Sequence, residues 1–230
     1  MAGAKPNVNL QAGSLAKRNS ISSALTTSTG SFWAFGFDND GTGISNHMII
    51  QNLTDDSLHL QEYYLNWGRV RVTPDASIPA HFEDDCLFHA AGGWCATGSS
   101  GIVTYKLDFE TYLHILWDCP YNFNHYCNFI GLYLCEETKS HADADLFNAM
   151  YQDNDDENFI PRRSSDFDLV CCGPGERAPT PQGSVRWGIR RPCEVTKNNY
   201  HVTMTMGNSH KTSSTVSIYE TKPKKVYISI

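Results

Sequence analysis

Val202-Thr203-Met204-Thr205-Met206 alternates apolar and polar residues without a break, and a run of period two buries a clean face only as a strand. The same texture recurs along the chain. Trp33, Phe35 and Phe37 alternate with Ala34 and Gly36 before the turn residues Asp38-Asn39-Asp40-Gly41, the signature of a strand followed by its turn. Further strands are predicted at 47–52, 57–66, 85–89, 101–109, 112–118, 129–136, 167–171, 200–206 and 213–220. Short strands at this spacing, parted by turn residues, predict a mainly β fold of sandwich or barrel type.

One segment breaks the pattern. Ser140 is placed to cap a helix over about 141–152, and Asp143, three residues on, completes a capping-box-like pattern with negative charge in the first turn. Leu146 with Met150 and Phe147 with Tyr151 form two i, i+4 pairs, so the helix offers a broad apolar-aromatic face to the sheet. Residues 173–199, rich in Pro, Gly and Arg, read as a long loop or a decorated hairpin.

The first thirty residues are mostly Ser, Thr, Ala, Gly and Asn, a composition with too little to bury for a helix to be stable alone. The predicted organisation is a mobile N-terminal segment at 1–30, one β domain at 31–220 and a C-terminal tail at 221–230. In the tail, Lys222, Lys224 and Lys225 precede a possible edge strand and guard its edge. With 230 residues, 40% hydrophobic and 12% aromatic, a single domain has enough to bury to fold by itself.

The net charge of −7 argues against a nucleic-acid binder, which needs a surplus of Lys and Arg on one face. It argues equally against attraction to anionic lipid, so membrane recognition falls to aromatics and to neutral or zwitterionic headgroups. No run of eighteen apolar residues spans a bilayer as a preformed helix. The N-terminus also lacks the cationic start and apolar run of a signal peptide, so the expectation is an intracellular chain or one whose leader has been removed. The eight cysteines include no C-x-x-C pair, which excludes the zinc templates. They pair as four disulfides or, as the missing leader favours, pack as small hydrophobic thiols.

Catalysis finds no motif to carry it. There is no Gly-x-Ser-x-Gly elbow, no phosphate-cradling loop and no His-Glu-x-x-His helix; a Cys–His pair meeting only in space stays open, against surface or structural roles for the nine histidines. The informative stretch is 117–129, Trp-Asp-Cys-Pro-Tyr-Asn-Phe-Asn-His-Tyr-Cys-Asn-Phe, with five aromatics and a histidine in thirteen residues of a predicted loop. Two readings are open. The rings form an interfacial belt that can cage a quaternary ammonium, or they tuck under the loop as satellite core.

Three segments in order resemble the actinoporins, the sea-anemone pore-forming cytolysins, and their relatives. These are Ala96-Thr97-Gly98-Ser99-Ser100-Gly101-Ile102-Val103-Thr104-Tyr105, then Pro120-Tyr121-Asn122-Phe123-Asn124-His125-Tyr126-Cys127-Asn128, then Ala142-Asp143 ahead of an aromatic helix. Gly36-Phe37-Asp38-Asn39 resembles the end of the family's first core strand. The resemblance implies a compact β-sandwich flanked by an N-terminal helix and one short helix. It also implies a phosphocholine or sphingomyelin headgroup site, and an N-terminal helix that inserts and oligomerises into a pore. Carried over by position, the lipid-binding residues are Ser100, Asp118, Pro120, Phe147, Tyr126 and Tyr151, with His125 and Phe129 at the membrane interface.

The chain departs from that pattern at several points. His125, Phe129 and Ile130 stand where the family carries tryptophans, Gln152 stands for a second tyrosine, and Asp118 replaces a small hydroxyl. Asp118 attracts an ammonium and repels a phosphate. The family's Arg-Gly-Asp triplet is missing, and residues 10–26 lack the apolar stripe of an inserting helix. The expected function is therefore a non-enzymatic, membrane-lipid-binding cytolysin-like protein that recognises phosphocholine or sphingomyelin and assembles as a homo-oligomer on the membrane. No cofactor, metal or nucleic acid enters that reading. It is expected to be secreted or stored in soluble form, or cytoplasmic, before acting at a target-cell membrane. The alternatives are a non-lytic lipid- or glycan-binding module of lectin type and a Cys–His hydrolase.

Overall fold

The structure is a computed structural model that describes residues 43–92, 97–122, 126–136, 141–151, 163–170, 178–179, 185–186, 189 and 191–221. The predicted strand at Trp33–Phe37, the N-terminal segment, Ser140, His125, the acidic run at 153–157 and the tail from 222 lie outside the described residues.

Fourteen strands and one helix are described. They are β1 Ser45–Leu53, β2 Leu58–Trp67, β3 Arg69–Val72, β4 Ser77–Ile78, β5 Glu83–His89, β6 Ser99–Lys106, β7 Thr111–Cys119, β8 Phe129–Glu136, α1 Ala144–Tyr151, β9 Phe167–Val170, β10 Ala178–Pro179, β11 Val185–Arg186, β12 Cys193–Lys197, β13 Tyr200–Met206 and β14 Lys211–Glu220. Two six-stranded sheets, β12-β13-β14-β1-β5-β3 and β4-β2-β6-β7-β8-β9, make the sandwich, and β10 and β11 form a separate small ribbon. All neighbours pair antiparallel except β1 and β14, which run parallel from Ser45↔Lys211 to Leu53↔Tyr219.

The core between the sheets is built by alternation. Met48, Ile50, Phe88, Val202, Met204 and Val216 of one sheet meet Val103, Tyr105, Leu113, Ile115, Trp117 and Leu132 of the other, all fully buried, and each such apolar side chain contributes about 1.5–3 kcal/mol. Phe88 lies against the Trp117 ring at 4.1 Å. Gly101, paired with Trp117, makes room for that indole, because a Cβ there would stand 2.8 Å from the ring and 2.2 Å from the Tyr64 carbonyl oxygen.

Strands β6, β7 and β8 are buried along nearly their whole length, where simple alternation leaves one face wet. Their second face is covered by α1. Ile102, Leu116, Phe129, Tyr133 and Phe167 form a second cluster under Phe147 and Met150 of the helix. Met150 lies over Gly131, where a Cβ would stand 3.3 Å from its terminal methyl.

The predicted helix is real but starts later. Asp143 is its cap, with Oδ1 accepting the Leu146 amide at 2.8 Å, so the helix opens at Ala144 rather than 141. An Asp at the N-cap satisfies an orphan amide and sets negative charge at the positive end of the helix dipole.

Within 173–199, read as a long loop or a decorated hairpin, the described residues include the antiparallel β10–β11 pair and one further strand. Cys193–Lys197 is a strand that pairs with β13 from Cys193↔Met204 to Lys197↔Tyr200. Beside it, Arg191 forks onto Asp168, with Nη1 to Oδ2 at 2.6 Å and Nη2 to Oδ1 at 2.8 Å, while the Glu194 amide donates to Oδ2 at 3.0 Å.

Candidate functional site

The site is laid out by strand register. Asp118 at the end of β7 stands opposite Ser100 of β6 on one side and Phe129 of β8 on the other. The Asn66 amide of β2 reaches the Ser100 hydroxyl at 3.4 Å. One row therefore crosses four strands at the rim of the helix-covered face. The last turn of α1 closes over it, and the Tyr151 hydroxyl donates to Asp118 Oδ2 at 3.0 Å. The Tyr151 ring lies 5.0 Å from Phe129 and stacks on Phe147 at 5.5 Å and 14°. Phe147 in turn meets Tyr64 at 6.1 Å.

Five of the predicted site residues, Ser100, Asp118, Phe129, Phe147 and Tyr151, are thus brought together. Pro120 is buried just beyond β7, against Gly98, where a Cβ would fall 3.0 Å from the Pro120 Cα and 2.2 Å from the Cys119 carbonyl oxygen. Gly98 and Gly101 of the Thr97-to-Tyr105 stretch are therefore spacers, one for the Pro120 chain and one for Trp117.

Tyr126 stands 57% exposed ahead of β8, and its amide donates to the Asn122 carbonyl at 3.1 Å, closing the loop. No ring contact joins Tyr126 to the Tyr151 cluster among those described. His125 falls outside the described residues.

The aromatic loop is clamped to the other sheet. Asn128 is buried and donates from Nδ2 to the carbonyls of Gly207 at 2.7 Å and Ser209 at 3.1 Å. His210 donates from Nε2 to the Tyr121 carbonyl at 3.0 Å. Trp117 and Phe129 are core, whereas Tyr121 and Tyr126 are exposed.

Asp118 is 8% exposed. Burial pushes its carboxyl up to about 6, and the Tyr151 hydrogen bond offsets part of that rise. At neutral pH it is a desolvated anion beneath aromatic rings, an arrangement that attracts a soft cation at the rim. Sequence reasoning missed Asn66 and Trp67 at this same rim; the signal was an Asn-Trp pair ending a strand directly before Gly68.

A Cys–His pair does exist. His114 of β7 lies with Nε2 3.2 Å from the Cys135 sulfur and Nδ1 2.7 Å from the Thr104 hydroxyl. His114 and Cys135 are both buried, with the His114 ring stacked on Tyr133 at 5.7 Å, so no substrate reaches the thiol in this conformation. The five described cysteines are free thiols, and all but Cys127 are buried. Among the described residues no group of His, Cys, Asp and Glu is arranged to hold a metal, and no helix is long and apolar enough to cross a membrane.

No curated protein matches the chain. The structure described as the lipid-binding protein Nakanori overlays with a TM-score of 0.56 at 11% identity, over 78% of this chain and 73% of that one. At that identity the likeness is one of fold. The Xerocomus chrysenteron lectin XCL overlays at a TM-score of 0.36 and 9% identity, over 76% of this chain and 99% of that one. The model of the sea anemone cytotoxic protein family matches residues 60–165, the segment that supplies every member of the Asp118–Tyr151 cluster, and over that segment the chain resembles the actinoporins.

Proposed function

We propose that this chain is a membrane-lipid-binding protein of cytolysin type that recognises choline-bearing headgroups at the rim formed by Asp118, Phe129, Phe147 and Tyr151. The observation that carries the reading is the buried Asp118 carboxylate roofed by the half-exposed Tyr151 ring. A quaternary ammonium resting on these rings gains cation–π attraction worth about 0.5–2 kcal/mol. With the ammonium seated on these rings and the phosphate directed toward solvent, attraction to Asp118 would outweigh repulsion. Ser100 and Pro120 shape the floor, and Tyr126, with His125 beside it in sequence, supplies the outer wall.

The finer content of the proposal is phosphocholine, with sphingomyelin as its membrane source, followed by oligomerisation on the bilayer and a pore. Binding and insertion call for no chemical step, cofactor or metal. The protein acts at a target-cell membrane after a soluble phase. A non-lytic lipid- or glycan-binding role is the second reading, and one observation favours it: residues 10–26 lack the apolar stripe an inserting helix needs.

The deciding experiment measures vesicle binding and dye release on one sample containing sphingomyelin. Binding with leakage supports the cytolysin. Binding without leakage selects the non-lytic lipid reading, and a glycan-array signal without vesicle binding selects the lectin. Survival of vesicle binding in Tyr126→Ala and Tyr151→Ala refutes the site.

A further inference from the structure

Trp67 is the last residue of β2 and is 56% exposed. It pairs with Ser100, which pairs with Asp118, so it stands at the same end of the sandwich as the recognition rim. A register shift lies between Leu65 and Trp67, and Gly68 follows at φ +99°, where a Cβ would stand 2.5 Å from the His89 carbonyl oxygen. Only glycine makes that close turn into β3.

Six large apolar side chains are exposed among the described residues, and four of them, Trp67, Tyr121, Tyr126 and Tyr151, gather at this end. Charge is distributed in the opposite sense. The described residues of this end, 43–45, 66–69, 89–92, 97–100, 118–122, 126–129 and 206–212, contain one carboxylate, the buried Asp118. The opposite end carries Asp55, Asp56, Asp75, Asp108, Glu110 and Glu220. Carboxylates are costly to bring against a bilayer, whereas Trp and Tyr settle at headgroup depth.

We propose that Trp67 is an interfacial anchor that seats this end of the sandwich on a zwitterionic bilayer, holding the recognition rim at headgroup level. The proposal rests on the lipid-binding reading above and adds a residue outside the predicted site. Because the anchor is an uncharged ring, its contribution is insensitive to salt, unlike a basic patch.

The test is flotation with phosphatidylcholine–sphingomyelin vesicles at low and high salt, comparing the wild-type chain with Trp67→Ala, Trp67→Phe and Tyr151→Ala. Partitioning is expected to fall about tenfold in Trp67→Ala, the scale of burying part of one aromatic side chain, and to recover partly in Trp67→Phe. Brominated lipid should quench less tryptophan emission in Trp67→Phe than in the wild type. If Trp67→Ala binds as well as the wild type while Tyr151→Ala does not, the anchor is overturned and the recognition site stands. If Tyr151→Ala binds fully while Trp67→Ala fails, the anchor stands without that site. No vesicle binding by the wild type overturns both, and a lipid-free dimer that Trp67→Ala dissolves assigns the ring to self-association instead.

Discussion

The Tyr151 hydroxyl donates to Asp118 Oδ2 at 3.0 Å, joining the last turn of α1 to the end of β7. Asp118 is almost fully buried, so this hydrogen bond is its described compensation for lost water. Tyr151→Phe keeps the rings stacked on Phe147 and Phe129 but removes the donor. Urea unfolding should show a loss of about 1–3 kcal/mol, the cost of leaving a buried acceptor short of a partner. Tyr151→Ala also removes the stacking and should lose more. Equal stability of Tyr151→Phe and the wild type would refute the coupling.

Acid should move stability and binding in opposite directions. Burial raises the carboxyls of Asp118 and Asp84 from 3.8 to about 6, so between those values the folded chain holds more protons than the unfolded one. Stability therefore rises as pH falls from 7.5 toward 4, by about 2–3 kcal/mol per group. Asp166 and Asp168 are lowered by their partners Ser164 and Lys197, and Arg191, against the opposing effect of burial, so stability falls again below about 4. Headgroup binding instead weakens as Asp118 loses its charge below about 6. Asp118→Asn should bind about threefold to tenfold more weakly at pH 7.5, with a flatter pH dependence, and should be more stable there. Calorimetry and vesicle titration at matched pH values check the pair.

The β class was legible because Tyr200–Met206, Phe129–Glu136 and Ser45–Leu53 carry their own alternation or apolar run. Cys193–Lys197 was not, because it offers only Cys193 and Val195 as inward residues. Its strand character comes from the turn at Asn198, φ 55°, and from the ladder with β13. At the site, the i, i+4 spacing of Phe147 and Tyr151 foretold their stacking. What spacing could not give was Trp67 beside Ser100, a contact across thirty-three positions created by the β2–β6 register. The helix start was misplaced for a local reason: both Ser140 and Asp143 are good caps, and pattern alone does not rank them.

Arg191 ties the chain entering β12 to the fully buried Asp168 of β9. Removing the guanidinium leaves a buried carboxylate without its counter-charge, held by the backbone amides of Glu194 and Leu169. Arg191→Ala should cost about 2–3 kcal/mol, below the figure for a fully buried pair because Arg191 is partly in solvent. Arg191→Lys should recover less than half, having no fork to match both oxygens. Thermal melts with a Asp168→Asn, Arg191→Ala double variant test the coupling.

Asn52 begins the triplet Asn52-Leu53-Thr54, which has the form of a glycosylation acceptor. It is fully buried, with Nδ2 donating to the carbonyls of Asp56, Ile78 and Pro79 and Oδ1 accepting the Thr54 amide and hydroxyl. This side chain closes the β1–β2 connection. Asn52→Asp should destabilise by about 2–4 kcal/mol, because an acceptor replaces a donor that three carbonyls share. Expression in a glycosylating host should leave the folded chain unmodified at Asn52, as mass mapping would show.

Native thiol labelling should divide the described cysteines by burial rather than by chemistry. Cys127, beside the exposed Tyr126, is the one described thiol that is not buried. Burial raises the thiols of Cys86, Cys119 and Cys193 well above the ordinary range, so they are both hidden and protonated, and the thiolate is the species that reacts. Cys135 has a histidine at 3.2 Å, which in an open site would favour the thiolate, yet it is buried in the second cluster. Peptide mapping after brief alkylation should therefore find Cys127 modified first and Cys135 protected until the protein unfolds. Rapid modification of Cys135 in the native protein, abolished by His114→Gln, would show that α1 lifts from the sheet and exposes a nucleophile. That outcome would reopen the hydrolase reading, since the pair would then have both its base and its access.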